Sequence, residues 1–139
     1  MPKNVFWIDN YPKESGSGTE SYIDALVRTF PETKIETEKY AGEAYRSLQQ
    51  QMRDIVVINP WLSPGENCPY EPPQGWKENY NIIGIDLAYK IRGIDGKVPI
   101  IFLGGRELID ISCPAASEII CALDVLPSQF TEIMRKYIP

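Results

Sequence analysis

Asp54-Ile55-Val56-Val57-Ile58-Asn59-Pro60 decides the fold. Four apolar β-formers in a row, opened by Asp and closed by Asn-Pro, predict a strand over 54–60 buried on both faces. Pro60 has no N–H to donate and pushes the residue before it out of the helical region, so the strand ends there. Such a strand belongs in the middle of a parallel sheet with helices on both sides. Ligands of these sheets bind beyond the carboxyl ends of the strands, which makes the amide Asn59 a residue to follow.

Toward the N-terminus, Val5-Phe6-Trp7-Ile8 is a second apolar run, ending in Asp9-Asn10. A Ser/Gly-rich loop over 10–19 follows. Thr19 is placed as the N-cap of a helix to about Phe30, with Tyr22, Ile23, Leu26, Val27 and Phe30 on one face and Pro31 as the stop. Lys34 to Tyr40 alternates with weak apolar content and predicts an edge strand. Ala41 to Met52 predicts a helix, with Ala44, Tyr45, Leu48 and Met52 in one stripe.

Toward the C-terminus, the segment 61–79 holds Pro64, Pro69, Pro72 and Pro73, which rule out regular structure. It also holds Trp61, Tyr70 and Trp76, which rule out a plain linker. Long ordered segments of this kind tend to be functional. Ile82 to Ile94 predicts a helix with Ile83, Leu87, Ile91 and Ile94 turned inward. Val98 to Leu103 predicts another strand buried on both faces, leading into Gly104-Gly105. Ser112 is placed as the cap of a short helix with Pro114 in its first turn. Leu123 to Leu126 is expected as the last strand, and Ser128 as the cap of a last helix that buries Phe130, Ile133, Met134 and Tyr137.

The order is strand then helix, five times over. It predicts one α/β domain over 1–139, a three-layer αβα sandwich of the flavodoxin-like type. The five-stranded parallel sheet has the order 2-1-3-4-5.

With 139 residues, 43% hydrophobic and 24% charged, the chain is long enough for one core and ordinary for a globular protein. Its net charge of -5 and lack of a basic cluster argue against nucleic acid as a partner. With no histidine, Ser-His-Asp and Cys-His catalysis are excluded within the chain. Cys68, Cys113 and Cys121 show no C-x-x-C spacing and suit a reducing compartment. Met1-Pro2-Lys3-Asn4 leads straight into a strand with no membrane-length apolar run. The expectation is a soluble, cytoplasmic protein without a membrane partner.

Three stretches together resemble the receiver domain of two-component response regulators. Val5 to Asn10 is similar to that family's first strand with its acidic exit. Asp54 to Asn59 is similar to the third strand, which ends in the phospho-accepting aspartate. Gly84-Ile85-Asp86-Leu87-Ala88-Tyr89-Lys90-Ile91-Arg92, followed by Val98 to Leu103, resembles the third helix and fourth strand. The resemblance implies a receiver-like sheet and a pocket at its carboxyl edge. There two acids hold Mg²⁺, an Asp attacks phosphorus, and a hydroxyl and a Lys contact the phosphoryl group.

Matched position by position, most of those groups are gone. The first acid is kept as Asp9, but the second is Asn10. The acceptor position carries Asn59, whose amide forms no acyl phosphate. The hydroxyl position falls on Gly104, and the Lys-Pro pair before the last helix is Ser128-Gln129. The resemblance therefore implies a pseudo-receiver: no metal, no cofactor, no catalysis, and action through contact with a protein partner. It also points to the last helix, including Arg135 and Lys136, as a homodimer face.

Plainer readings stand beside these. Asp9 alone serves as well to hydrogen-bond loop amides. Asn59-Pro60 serves as well to turn the chain. Trp61, Tyr70 and Trp76 are either a contact patch or a plug for the emptied pocket. A second functional class rests on Ser15-Gly16-Ser17-Gly18-Thr19 leading into a helix. Backbone N–H groups there suit the phosphate of a nucleotide or flavin, in the manner of flavodoxins.

Overall fold

The computed structural model describes residues 2–10, 19–105, 108 and 111–138. The apolar run around Val57 forms β3 (Ile55–Ile58), every residue of it buried. It pairs in parallel with β1 (Asn4–Ile8) on one side and β4 (Ile100–Gly104) on the other. β2 (Lys34–Glu38) closes the β1 edge and β5 (Glu118–Cys121) the β4 edge. The sheet order is β2-β1-β3-β4-β5, the expected 2-1-3-4-5.

Because side chains alternate along a strand, the sheet splits its apolar residues between two layers. Phe6, Ile8, Val56, Ile58, Ile100 and Phe102 face α2 (Ala41–Gln50) and α3 (Asn81–Ile94), meeting Ala44, Leu48, Ile83, Leu87 and Ile91. Val5, Trp7, Ile55, Val57, Ile101 and Leu103 face α1 (Thr19–Thr29) and α4 (Pro127–Met134), meeting Leu26, Phe130 and Met134. Trp7 lies edge-on to Phe130, with ring centroids 5.8 Å apart. This is the αβα sandwich of a flavodoxin-like receiver fold.

Several local expectations fail. No helix forms over 112–117, although Ser112 and Pro114 have the right chemistry to start one. Four helices are present among the described residues, one fewer than the five expected. The stretch instead makes a single turn at 114–115, closed by Ala116 N donating to Cys113 O at 3.0 Å, and is anchored by Arg92, whose guanidinium donates to Val98 O at 2.5 Å and Ala115 O at 3.0 Å. Ser117 adds a backbone bond to Ile100 O at 2.7 Å, and its hydroxyl accepts from Ile100 N at 3.1 Å.

The last strand is accordingly Glu118–Cys121, and Leu123 to Leu126 forms the turn after it. Leu123 and Leu126 are 61% and 65% exposed, so their apolar character reflected no ladder. Ser128 is no N-cap: Leu126 holds that position, and Gln129 Oε1 accepts from its N–H at 2.7 Å. Thr19 is the first residue of α1 rather than a residue outside it. Val27 and Ile94 lie on their helices' outer flanks, exposed rather than buried.

Candidate functional site

The carboxyl ends of β1, β3 and β4 meet at one edge of the sheet. Asp9 follows β1 and is only 4% exposed; its Oδ2 accepts from Thr19 Oγ1 at 2.8 Å. That bond ties the start of α1 to the exit of β1. Asn59 follows β3, its N–H donating to Ile8 O at 2.9 Å. Its side-chain Oδ1 accepts from Trp61 N at 3.2 Å, an Asx turn spanning Pro60. The plain turn-forming role and the pocket position therefore belong to one residue.

A cavity of about 370 Å³ opens at this edge, with Asn59 and Gly104 in its wall together with Thr19, Ser21, Tyr22 and Leu123. Among the described residues, no carboxylate, ammonium or guanidinium lines it. Tyr22 shapes the cavity from α1. Its hydroxyl lies 3.0 Å from Ala122 O and also against Val125 O, its proton shared between two carbonyls of the β5–α4 turn. Burial, and then the nearby Cys121, push its pKa above the ordinary tyrosine value.

The five positions singled out in the sequence are only partly gathered. Asn59 and Gly104 share the cavity, and Asp9 reaches its rim through Thr19. Asn10 turns the other way: its Nδ2 donates to Trp61 O at 3.1 Å, and Oδ1 is buried without a partner among the described residues. Ser128 sits exposed in the first turn of α4, its carbonyl accepting from Thr131 Oγ1 at 2.7 Å, and does not line the cavity. The nearest lysine along the chain, Lys136, pairs with Glu118 Oε1 at 2.9 Å. Burial raises the pKa of Glu118, but the bonds from Lys136 and Tyr137 outweigh it and hold the carboxyl below its usual value. Among the described residues, no group of three or more His, Cys, Asp or Glu side chains is placed to hold a metal ion.

The aromatic segment does not fill this cavity. Trp61 meets Tyr80 edge-on and Trp76 meets it at a tilt, with centroids 5.1 Å and 5.6 Å away, and both line a separate cleft beside Asn10. Trp61 remains 41% exposed, whereas Trp76 packs against the core. Tyr70 meets Tyr45 edge-on at 5.4 Å. Burial, with Cys68 and Asp86 nearby, drives the Tyr70 pKa far upward. The Ser15–Thr19 loop lies outside the described residues except for Thr19.

Sequence reasoning missed a larger cavity, about 970 Å³, between the end of β2, the start of α2 and the segment 63–76. Its wall residues are scattered along the chain, and no motif joins them. A usable signal was Gly42 at the start of α2, a small residue where the Pro-rich segment passes close by.

No protein-family model matches the chain, and no curated protein matches it. Solved structures do. The chain superposes on a LuxR-family two-component response regulator from Aurantimonas with a TM-score of 0.65 and 20% identity, covering 98% of this chain and 84% of that one. A receiver domain of a sensor histidine kinase from Pseudomonas aeruginosa gives 0.68 and 15% identity, with 99% and 98% covered. That structure carries a magnesium ion coordinated in its active-site cleft. A CheY-like receiver domain from Methylobacillus flagellatus gives 0.68 and 10% identity, with 99% of each chain covered. The fold is that of receiver domains.

Proposed function

We propose that residues 1–139 act as a single receiver-type signalling module that works through protein contact and is not switched by aspartyl phosphorylation. The observation that carries this is Asn59. It stands at the carboxyl end of the central strand, where the resemblance puts the phosphoacceptor, and its amide oxygen is spent on the turn to Trp61. An amide there supplies no nucleophilic oxygen, and Gly104 supplies no hydroxyl to receive the phosphoryl group. Asn10, at the position of the family's second acid, is an amide and turned away, and one carboxylate is a poor Mg²⁺ site. On this reading the protein is not an enzyme, needs no cofactor and works in the cytoplasm.

Trp61, edge-on to Tyr80 yet partly exposed, is the contact residue for a protein partner, with Tyr70 and Trp76 behind it. A homodimer through α4 is the other contact this reading allows. Capture of partners on immobilised wild-type protein and on Trp61→Ala tests the first. The variant is expected to lose partners while its melting temperature stays close to wild type. Equal capture by both contradicts the assignment.

A second reading, small-molecule binding in the manner of flavodoxins, is favoured by the cavity beside Thr19 and Ser21, whose roughly 370 Å³ is a ligand-sized space. The absorbance spectrum of the purified protein, with thermal shifts on adding nucleotides or flavin mononucleotide, decides it. A colourless protein that no nucleotide stabilises removes this reading.

A further inference from the structure

The Pro-rich segment is anchored by its main chain at two places and held by side chains between them. Ala41 N and Gly42 N donate to Ser63 O and Pro64 O, each at 3.0 Å, which fixes its start to the first turn of α2. Gly75 O accepts from Glu78 N at 3.1 Å and Asn79 N at 3.3 Å, which fixes its end to the turn before α3. From Gly65 to Gln74, among the described residues, no main-chain group bonds to the main chain of another element, and no residue is buried. A span with so few buried contacts belongs to the part of a fold that opens most readily.

The glycines at its two ends have positive φ, 86° at Gly65 and 83° at Gly75. Without a Cβ they can turn through backbone angles closed to other residues. Between them Pro69, Pro72 and Pro73 fix φ and carry no N–H, so the middle is stiff and has few donors to satisfy in any position. The span also stands off the body. With the end of β2 and the start of α2 it encloses the cavity of about 970 Å³ instead of packing shut.

The main tie is Tyr70, which lies across both helices beneath. Its ring meets Tyr45 of α2 edge-on with centroids 5.4 Å apart, and Lys90 Nζ of α3 is 4.6 Å from its centroid. Arg46 Nη2 adds an exposed bond to Asn67 O at 3.2 Å. Cys68 rests on Gly42, where a Cβ would lie 2.6 Å from Cys68 Cα.

We infer that residues 65–75 form a hinged strap. It swings as a unit about Gly65 and Gly75 with Tyr70 as its latch, and its opening uncovers Tyr45 and the groove between α2 and α3 while the sheet stays folded. The inference is independent of the Asn59 pocket and stands whether or not the chain is a signalling module.

Labelling of the full chain with N-ethylmaleimide, with the rate at Cys68 read by peptide mass, tests it, because opening lifts Cys68 off Gly42. In urea below the unfolding transition that rate is expected to change by less than about twofold, since a local opening exposes little surface. Labelling through unfolding of the whole chain would instead accelerate steeply. Tyr70→Ala is expected to speed the reaction roughly tenfold or more. Lys90→Met, which alters the latch without touching Cys68, is expected to speed it about twofold or more. Circular dichroism checks the fold of each variant; should Tyr70→Ala unfold, Lys90→Met carries the test. A Cys68 rate that climbs with urea in step with unfolding, or that either folded variant leaves unchanged, overturns the inference.

Discussion

Gly84 and Pro60 are in backbone contact. Gly84 N donates to Pro60 O at 3.1 Å, and a Cβ on Gly84 would fall 2.2 Å from Pro60 Cα. The residue that ends the central strand is thus pressed onto the first turn of α3. This contact fixes where the chain leaves β3 and so where Asn59 is held.

Gly84→Ala has no room at that contact, because the atoms it meets are the backbone and ring Cβ of Pro60, which cannot rotate away. The expected cost is about 2–3 kcal/mol or more, as for overpacking in a rigid core. Urea unfolding followed by circular dichroism measures it. A loss under about 0.5 kcal/mol, the range of ordinary surface changes, contradicts the described approach.

Tyr22→Phe removes the hydroxyl that bridges α1 to Ala122 O and Val125 O. Two carbonyls lose a donor, and the expected destabilisation is about 1–3 kcal/mol. The ring stays in place against Phe130, with centroids 5.5 Å apart, so the fold is kept.

The same residue sets an alkaline limit. Burial and Cys121 raise the Tyr22 pKa in the folded state, so folding favours the protonated form. That contribution is complete below the unfolded tyrosine pKa of about 10 and is lost as pH rises through the folded value. Tyr70 and Tyr137 are raised as well and act in the same direction. Thermal melts across the alkaline range are expected to show falling stability above about pH 10, with a shallower fall in Tyr22→Phe. Parallel curves for the two proteins contradict this.

Arg92→Met keeps the aliphatic stem but removes the guanidinium that holds Val98 O, Ala115 O and the Ser117 hydroxyl. Hydrogen bonds from a charged donor are worth about 1.5–3 kcal/mol each, and some are replaced by water in the variant. A loss of about 2–4 kcal/mol is expected in chemical unfolding. Hydrogen exchange should accelerate first over 115–121. Unchanged protection there contradicts the role given to Arg92.

Arg92 also shows where the sequence ceased to be readable. β3 and β4 were legible because each is a continuous apolar run, long enough to be buried on both faces. The β4–β5 connection was not. Its conformation depends on a side chain more than twenty residues earlier, as Arg92 to Ala115 shows with a separation of 23. Local signals at Ser112 and Pro114 favoured a helix, and tertiary bonds overrode them. The candidate site divides similarly. Asn59 and Gly104 came together because each ends a strand, a position that sheet topology dictates. Asn10 and Ser128 did not, because a side chain's direction beyond a strand or at a helix start depends on contacts such as Asn10 with Trp61. The larger cavity was invisible for the same reason, since only the path of the Pro-rich segment assembles it.

The central claim is that the Asn59 pocket handles no phosphate, and one measurement addresses it directly. The full chain is incubated with acetyl phosphate and Mg²⁺, and its intact mass is recorded before and after hydroxylamine treatment. The account predicts an unchanged mass throughout. A hydroxylamine-sensitive gain of one phosphoryl group would contradict it.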